Sequence, residues 1–537
     1  MAVPGTRQDL DFSPVCAGLA RTKERDRMQS EVTTDPAFAR DAFISYANQD
    51  TAVADSLCAS LEQRGLSCRI APRDPPCSIP AVRPIAFAVL LFISLAASAQ
   101  VAHPRTVART PPMGWNSWDA FGFTIDEADF KANAAVLAGF KSLGWTYAVI
   151  DEGWYMENTS GKKEEWRSYR LDAHGLLTPV TSRFPSAVHG GGFKPLADWV
   201  HARGLKFGLH IVRGIPKRAV LDNLPIAGTD FHAGDAADTA DICSWDDGDY
   251  GVRDNAAGQA YYDSMFKLYA AWGLDFIKVD CIADHPYKVS EIRQIAAAIN
   301  KTGRPMVLSL SPGPTQLAHA VEIARYAQMW RISNDIWDGW DFTHDHSDND
   351  FPNGVADAFD YLEKWAPYVK PGNWPDADML PFGSLTPYPG WGEPRQSRLT
   401  QSEERTQFTL WSIARSPLIL GGNLTKLDGF TRSLITNKAI LALNQMGHDA
   451  HALLNLPPGF AHVRIWMTTL GAGNASRKFL ALFNLDDAPT ILRATWQQLG
   501  LDGRHSLDNL EDGRSIADSN GFSVTLPAHG SAVWRLN

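Results

Sequence analysis

The sequence predicts a (β/α)8 TIM barrel followed by a C-terminal antiparallel β-sandwich. From residue 111 onward, the 537-residue chain alternates short apolar strand-like runs with longer helix-like segments, as in a parallel α/β fold. Polar residues recur where these runs end, as expected at the catalytic face of a barrel. After residue 447 the pattern changes to short strands separated by Gly, Asn and Asp turns, which predicts a sandwich that packs against the barrel.

The first 75 residues contain one short structured piece. Residues 1–40 are polar, mixed in charge and without periodicity, and are expected to be disordered. Residues 41–75 read as strand, helix and strand, and the strings FISY and IAPRD resemble the start of a TIR domain. Only the first βαβ unit of such a domain is present. Two strands alone cannot bury their faces, so this fragment is not expected to fold stably by itself.

Residues 81–99 resemble a secretory signal peptide in an internal position. A basic flank at Arg83 precedes an apolar run of about 11 residues and an ASA end. The run is short for a membrane span, which needs about 20 residues. We therefore expect residues 1–80 to derive from a fused gene or an upstream start codon. The working protein would begin near Gln100, be secreted or periplasmic, and have no stable membrane association after cleavage; a signal anchor or buried helix is the alternative.

The barrel is predicted over residues 105–447 and the sandwich over 448–537. Strand-like runs lie at 113–118, 147–154, 205–210, 274–281, 305–310, 326–332, 376–380 and 418–422. Helix-like segments separate them. One spans 260–272 and is followed by Gly273, a typical helix stop.

Five of the strand-like runs end in polar side chains. A single acid at such a place is often a helix cap or a salt-bridge partner, but five ends that converge on one barrel mouth indicate a site. Asp280 ends an apolar run, where an acid suits chemistry better than a core, and is the candidate nucleophile. The strand-end residues are Asp151, Glu152, His210, Lys278, Asp280, Arg331, Asp335 and Asp378.

The amino-acid composition indicates which partners and which cross-links to expect. The formal net charge is −10 and no dense Lys/Arg block occurs, which argues against nucleic acid and anionic membranes. The 18 Trp residues suit the binding of sugar rings. Four of the six Cys precede residue 100, which is not a disulfide framework. Cys243 and Cys281 could form one bridge, and the sequence leaves both the bridged and the free state open.

The barrel and sandwich together resemble glycoside hydrolase family 27, the α-galactosidase or melibiase family, over about residues 109–537. The similarity is carried by TPPMGWNSW at 110–118, KVD at 278–280, WR at 330–331, DI at 335–336 and DADML at 376–380. The resemblance implies a retaining glycosidase with Asp280 as nucleophile and Asp335 as acid/base, and neither a metal nor a cofactor. It also implies sugar-contacting or supporting roles for Trp118, Asp151, Glu152, His210, Lys278, Arg331 and Asp378.

The chemistry explains these residue types. A retaining glycosidase needs two carboxyl groups about 5–5.5 Å apart, one to attack the anomeric carbon and one to protonate the leaving oxygen. Lys278 lies two residues before Asp280, on the same strand face, where its cation keeps the nucleophile ionised. Asp335 must carry a proton in the first step and act as a base in the second.

The sequence departs from the family pattern at several positions. Glu152 stands where family α-galactosidases have Asp, and its extra methylene extends the carboxylate toward the space for the galactose C6 hydroxymethyl group. L-arabinopyranose lacks that group. His210 replaces a frequent Tyr, Cys281 follows the nucleophile directly rather than one residue later, and SLSPG at 309–313 replaces the family's Glu-Trp on the fifth strand.

The expected activity is therefore α-galactosidase, with β-L-arabinopyranosidase as the alternative and α-N-acetylgalactosaminidase behind both. The expected partners are galactoside or arabinopyranoside oligosaccharides and polysaccharides, and the sequence specifies no oligomeric state. Two remote alternatives are a TIR-linked signalling protein that only binds glycans and an inactive carbohydrate-binding barrel. Both candidate carboxylates are present, which argues against the inactive barrel.

Overall fold

The computed structural model describes residues 42–46, 68–72, 107–159, 168–284, 286–342, 352–385, 393–453, 456 and 460–537. The chain divides into two compact units, Met1–Ala99 and Gln100–Asn537. In the first unit, the strands Ala42–Tyr46 and Cys68–Pro72 pair in parallel, as the predicted fragment requires. The predicted disordered segment 1–40, the helix between the two strands and the signal-like segment 81–99 lie outside the described residues.

The second unit contains a parallel eight-stranded sheet whose spatial order follows the sequence. Its strands are Met113–Asn116, Tyr147–Ile150, Lys206–Val212, Phe276–Asp280, Val307–Leu310, Met329–Arg331, Trp374–Asp376 and Leu418–Leu420. The last strand pairs with the first. Leu380 then bridges to Leu420, and its N–H donates to the Ile419 carbonyl at 2.8 Å, which closes the ring. The fold is a TIM barrel, as the sequence predicts.

Helices cover the outside of the barrel, so most strand residues are buried on both faces. The longest is Ala256–Trp272, which ends at Gly273, where φ is +92° and a side chain would be strained. The other α-helices of at least seven residues around the barrel are Glu127–Ala138, Lys194–His201, Val289–Thr302, Asp357–Trp365, Gln401–Ala414, Gly429–Ile435 and Lys438–Met446. None of the helices in the described ranges is long and apolar enough to span a bilayer.

Two features of the barrel differ from the sequence prediction. The seventh strand is Trp374–Asp376 rather than 376–380, because the backbone turns at Asp378, where φ is +85°, before Leu380 rejoins the ring. Between the third strand and the long helix, a small antiparallel sheet that was not predicted follows the order Ile215–Pro216, Asp249–Val252 and Ala237–Ile242. This insertion precedes the nucleophile strand and forms part of the site described below.

The C-terminal region is an antiparallel sandwich. A six-stranded sheet follows the order His448–Ala452, Val463–Leu470, Arg477–Asn484, Ser531–Leu536, His505–Asn509 and Ser515–Ser519, and a second sheet pairs Thr490–Thr495 with Gly521–Leu526. Leu480, Leu492 and Val524 lie in the core between the sheets. On the opposite face, the Phe483 ring packs edge-on against Phe359 of a barrel helix at 5.1 Å. The sandwich therefore packs against the barrel.

Candidate active site

Asp280 is the last residue of the fourth barrel strand. Its carboxylate contacts His210 Nε2 at 3.3 Å and accepts the Cys281 N–H at 2.7 Å. Burial alone would raise the pKa of Asp280, but the His210 bond, the Lys278 cation and the Cys281 N–H hold it below its usual value. The arrangement supplies an ionised carboxylate near neutral pH.

Asp151 follows the second strand and is almost fully buried. Its Oδ2 accepts hydrogen bonds from Asn116 Nδ2 at 2.6 Å and from Lys278 Nζ at 3.0 Å, and its Oδ1 accepts the Glu152 N–H at 2.9 Å. Burial would raise the pKa of Asp151, but the Lys278 charge and these donors lower it strongly. Asp151 is thus a fixed anion that holds the Lys278 ammonium between two strand ends.

Glu152, the next residue, has a different environment. Burial, together with the carboxylates of Asp246, Asp280 and Asp151, raises the pKa of Glu152 well above its usual value. Its side chain is hydrogen-bonded to Asp246. The pKa values of the two adjacent acids are therefore shifted in opposite directions, that of Asp151 downward and that of Glu152 upward.

Asp335 and Asp378 are held by one buried cation. Arg331 ends the sixth strand, is 3% exposed, and donates to Asp335 Oδ1 at 3.1 Å from Nη2. Its Nη1 lies 2.9 Å from Asp378 Oδ1, and the other Asp378 oxygen accepts the Ile336 N–H at 2.7 Å. Asp335 itself is about one-third exposed, so its carboxyl group is accessible to a substrate.

Trp118 and His210 complete the predicted set. Trp118 is half-buried, and its ring packs edge-on against Phe123 with a centroid distance of 5.1 Å. Its backbone N–H donates to Asn116 Oδ1. His210 is 1% exposed, and its Nδ1 has no hydrogen-bond partner among the described residues. A proton on Nε2 lets this nitrogen donate to the Asp280 carboxylate.

Cys243 and Cys281 form a disulfide with a Cα–Cα distance of 6.0 Å. The bond ties the loop that begins at Cys243 to the residue directly after Asp280. Cys281 has a φ of +60°, which turns the chain away from the strand at this point. The sequence left this pairing open, because spacing alone does not give a distance.

The predicted residues converge at one end of the barrel. Burial and the Arg331 cation would lower the pKa of Lys278, but the carboxylates of Asp151, Asp280 and Asp378 outweigh them and raise it above its usual value. A cavity in the barrel interior is lined by residues that include Asn116, Lys278, Arg331, Asp376 and Asp378. In the part of the chain that the structure describes, no cluster of His, Cys, Asp and Glu has the geometry of a metal site.

Three residues of the site were not predicted from the sequence. Asn116 bonds directly to Asp151, and its place inside the TPPMGWNSW motif was a usable signal. Asp376 lies inside DADML, and burial raises its pKa to about 7. Asp246, by contrast, lies 34 positions before the nucleophile in an unpredicted insertion, and no local pattern marks it.

Known protein families match this chain along most of its barrel and sandwich. A family model described as alpha galactosidase A matches residues 110–219 and 244–446, and one for the alpha galactosidase C-terminal β-sandwich domain matches 461–536. The chain belongs to the α-galactosidase family, glycoside hydrolase family 27. Its members hydrolyse glycosides, and the predicted resemblance is confirmed.

Relatives in this family differ in their named substrates. Alpha-galactosidase A of Cellvibrio japonicus is 29% identical over 467 residues, which cover 83% of this chain and 96% of the relative. The crystal structure of a family 27 β-L-arabinopyranosidase from Geobacillus stearothermophilus is 39% identical, with a TM-score of 0.73 and coverage of 81% and 98%. A putative α-N-acetylgalactosaminidase from Bacillus halodurans is 36% identical, with a TM-score of 0.69 and coverage of 80% and 99%.

Proposed function

We propose that this protein is a retaining exo-glycosidase that releases terminal α-D-galactose, with Asp280 as nucleophile and Asp335 as acid/base. The observation that carries the proposal is the partly buried carboxylate of Asp280 at the end of its strand, whose pKa is lowered, together with an accessible carboxyl group on Asp335 that Arg331 positions. Retaining glycosidases need two such carboxyl groups with different roles. The names of the alpha-galactosidase relatives support galactose as the sugar.

The reaction follows in two displacements. An Asp280 oxygen attacks the anomeric carbon while the bond to the leaving oxygen breaks, and Asp335 gives its proton to that oxygen. The product is a glycosyl ester of Asp280. Water then attacks the anomeric carbon, Asp335 takes a proton from the water, and the ester bond breaks to regenerate the Asp280 carboxylate. Two inversions at one carbon give net retention.

The surrounding residues hold these groups ready. His210 and the Cys281 N–H bind the Asp280 carboxylate, which fixes its direction and its charge before substrate arrives. Arg331 bonds to both Asp335 and Asp378, so the acid/base keeps its position through both steps. Asp151 and the half-exposed ring of Trp118 lie near the strand ends where a sugar would bind.

A second candidate function is β-L-arabinopyranosidase activity, and Glu152 is the observation that favours it. Its side chain is hydrogen-bonded to Asp246 and interacts electrostatically with both Asp280 and Asp151. L-arabinopyranose is galactose without the C6 hydroxymethyl group, so a carboxyl group in that space would favour it. The 39% identical relative is named as an arabinopyranosidase, which supports this candidate.

One experiment separates the two candidates. The rates of the native protein and of Glu152→Asp are measured side by side on an aryl α-galactoside and an aryl β-L-arabinopyranoside. If Glu152 occupies the C6 space, shortening it raises the galactoside rate relative to the arabinopyranoside rate. One buried methylene in a sugar pocket is worth roughly 1–3 kcal/mol, or 10-fold to 200-fold in this ratio. An unchanged ratio removes Glu152 from the specificity argument, and no cleavage of either substrate refutes the proposed function.

We also propose that the protein acts outside the cytoplasm, from a start near residue 80 and a cleaved segment at 83–99. The basic flank, short apolar run and ASA end support export. The Cys243–Cys281 disulfide fits an oxidising compartment. N-terminal sequencing of the protein from culture medium or periplasm should begin near Gln100; a mature N-terminus at Met1 would contradict this.

A further inference from the structure

The loop that begins at Cys243 approaches the active site from the small inserted sheet. The disulfide fixes its first residue to Cys281, next to the nucleophile. Asp246 lies three residues after Cys243 and is only 6% exposed, although its side chain is a carboxyl group. Buried carboxylates persist only when hydrogen bonds or opposite charges compensate for lost water, so the partners of Asp246 are informative.

Asp246 accepts hydrogen bonds from Tyr169, which lies outside the loop, and from Gly248, which lies within it. The Tyr169 hydroxyl lies 3.2 and 3.3 Å from the two Asp246 oxygens and donates to them, and the Gly248 N–H donates to Oδ1 at 2.9 Å. Tyr169 also approaches Gly248 so closely that a Cβ there would lie 2.1 Å from the hydroxyl. The loop is therefore built around an Asp246 carboxylate that accepts hydrogen bonds.

The third partner is Glu152, whose side chain is hydrogen-bonded to Asp246. Two carboxyl groups can form a hydrogen bond only if they share at least one proton, because two carboxylates offer acceptors alone. Asp246 already accepts hydrogen bonds from Tyr169 and Gly248, so in this arrangement Glu152 is the donor of the shared proton and Asp246 is its acceptor.

The other charges around Glu152 reinforce this assignment. The charged groups that face it are the carboxylates of Asp280, Asp151 and Asp246, while Tyr155, Tyr169 and Asp249 lie around the same cluster. The nearby cation of Lys278 bonds to Asp151 instead, and His210 bonds to Asp280. An ionised Glu152 would add a further negative charge directly beside these acids.

We propose that Asp246 is a positioning residue that holds Glu152 as a neutral carboxylic acid and thereby sets the discrimination between sugars with and without a C6 hydroxymethyl group. This proposal rests on the proposed function, because it assigns Glu152 to the sugar-binding pocket. The Glu152 O–H donates to Asp246, which anchors the side chain toward the loop. Loss of the shared proton leaves two adjacent carboxylates, whose repulsion moves Glu152 out of that anchored position.

The proposal makes the sugar preference depend on pH. For two aryl glycosides with the same leaving group, the ratio of their kcat/KM values cancels any pH dependence that the catalytic step imposes equally on both substrates. The anchored Glu152 side chain already occupies part of the C6 space, and displaced Glu152 intrudes further on the C6 group of galactose but on nothing in arabinopyranose. The ratio of arabinopyranoside to galactoside kcat/KM should therefore rise with pH along a single titration curve, that of the proton shared by Glu152 and Asp246. The rise should be about 10-fold if the clash raises the activation free energy for galactoside by about 1.4 kcal/mol.

Three variants test this in the full chain. Asp246→Asn replaces the shared proton with an amide that donates to Glu152, so the ratio should become flat between about pH 6 and pH 9. Tyr169→Phe removes one donor to the Asp246 anion, so the titration should persist but move to higher pH. Asp247→Asn is the matched control, because Asp247 is the exposed neighbour in the same loop, 4.0 Å from Lys217 Nζ, and its ratio should follow that of the native protein.

Infrared difference spectra give a readout independent of activity. The C=O stretch of a protonated carboxyl group should appear as a positive band in native-minus-variant spectra for Glu152→Gln and for Asp246→Asn, because both variants lose it, and should cancel for Asp247→Asn. The proposal is overturned if Asp246→Asn keeps that band, if its ratio titrates as in the native protein, or if Tyr169→Phe leaves the midpoint unmoved. If the native protein cleaves neither glycoside, the proposed function is wrong, and the infrared comparison alone decides the Glu152–Asp246 pairing.

Discussion

Replacing Lys278 with Met should destabilise the barrel far more than removing a shorter ion pair at the surface. Lys278 and Asp151 lie 3.0 Å apart, and their side chains are 14% and 2% exposed. Without the ammonium group, Asp151 remains as a buried anion. Breaking a buried pair from one side costs about 3–5 kcal/mol. Asn116 and the Glu152 N–H still donate to Asp151 in the variant, so we expect a loss at the lower end of this range, about 3 kcal/mol.

The matched control is Lys301→Met. Lys301 lies 2.6 Å from Asp263, but its side chain is 71% exposed, so water replaces the lost contact and the expected cost is about 0–1 kcal/mol. Both variants are compared with the native protein by urea denaturation at pH 7, from the midpoint at constant slope. Equal losses in the two variants, or a loss below about 1 kcal/mol for Lys278→Met, would refute the reasoning that burial makes the difference.

The same comparison has a defined pH dependence. Burial raises the pKa of Asp151, but Lys278 and the hydrogen bonds lower it well below the usual 3.8. A depressed folded-state pKa contributes stability that is fully present above 3.8 and is lost as the pH falls through the folded value. The stability difference between the native protein and Lys278→Met should therefore be largest near neutral pH and narrow below about pH 4. A difference that grows in acid would contradict the assignment of Asp151 as an anion.

Three further predictions concern other parts of the molecule. Burial raises the pKa of Glu404 to about 7, so the stability that this group contributes is fully present below pH 4.5 and is lost as the pH rises through 7. The free energy of unfolding of Glu404→Gln, measured by urea denaturation, should therefore exceed that of the native protein by up to about 3 kcal/mol at pH 8 and by little at pH 5. Cys243→Ser opens a disulfide with a sequence separation of 38 and should cost about 4 kcal/mol in the same assay; a loss below about 1 kcal/mol would contradict that. Asp335→Ala should retain much more activity on a dinitrophenyl glycoside than on a methyl glycoside, because only the poor leaving group needs an acid; equal losses would exclude Asp335 as the proton donor.

The sequence predicted the barrel and the strand-end residues because both depend on local pattern. Apolar runs that end in an acid identify strands that carry chemistry at their carboxyl ends, and the two-residue spacing of Lys278 and Asp280 places both on one strand face. The structure places Lys278 between Asp151 and Asp280, as that spacing implies. The catalytic roles themselves stay predictions until variants are assayed.

Other features depend on contacts that no local pattern encodes. The seventh strand ends at Asp376 rather than at 380 because the chain turns at Asp378, whose side chain contacts Arg331 and the Ile336 N–H, a tertiary interaction. Asp246 reaches Glu152 only because the inserted sheet and the disulfide bring a distant loop to the nucleophile strand. The strands His505–Asn509 and Ser515–Ser519 were missed because they are largely polar.

The most direct test of the central claim is to locate a covalent intermediate. The protein is incubated with a 2-deoxy-2-fluoro glycoside of galactose or arabinopyranose that carries a good leaving group, digested, and analysed by peptide mass spectrometry. The two-step mechanism predicts one added sugar on the peptide that contains Asp280, and none in Asp280→Ala. A sugar attached to another residue, or turnover of the unsubstituted substrate with inverted configuration, would contradict it.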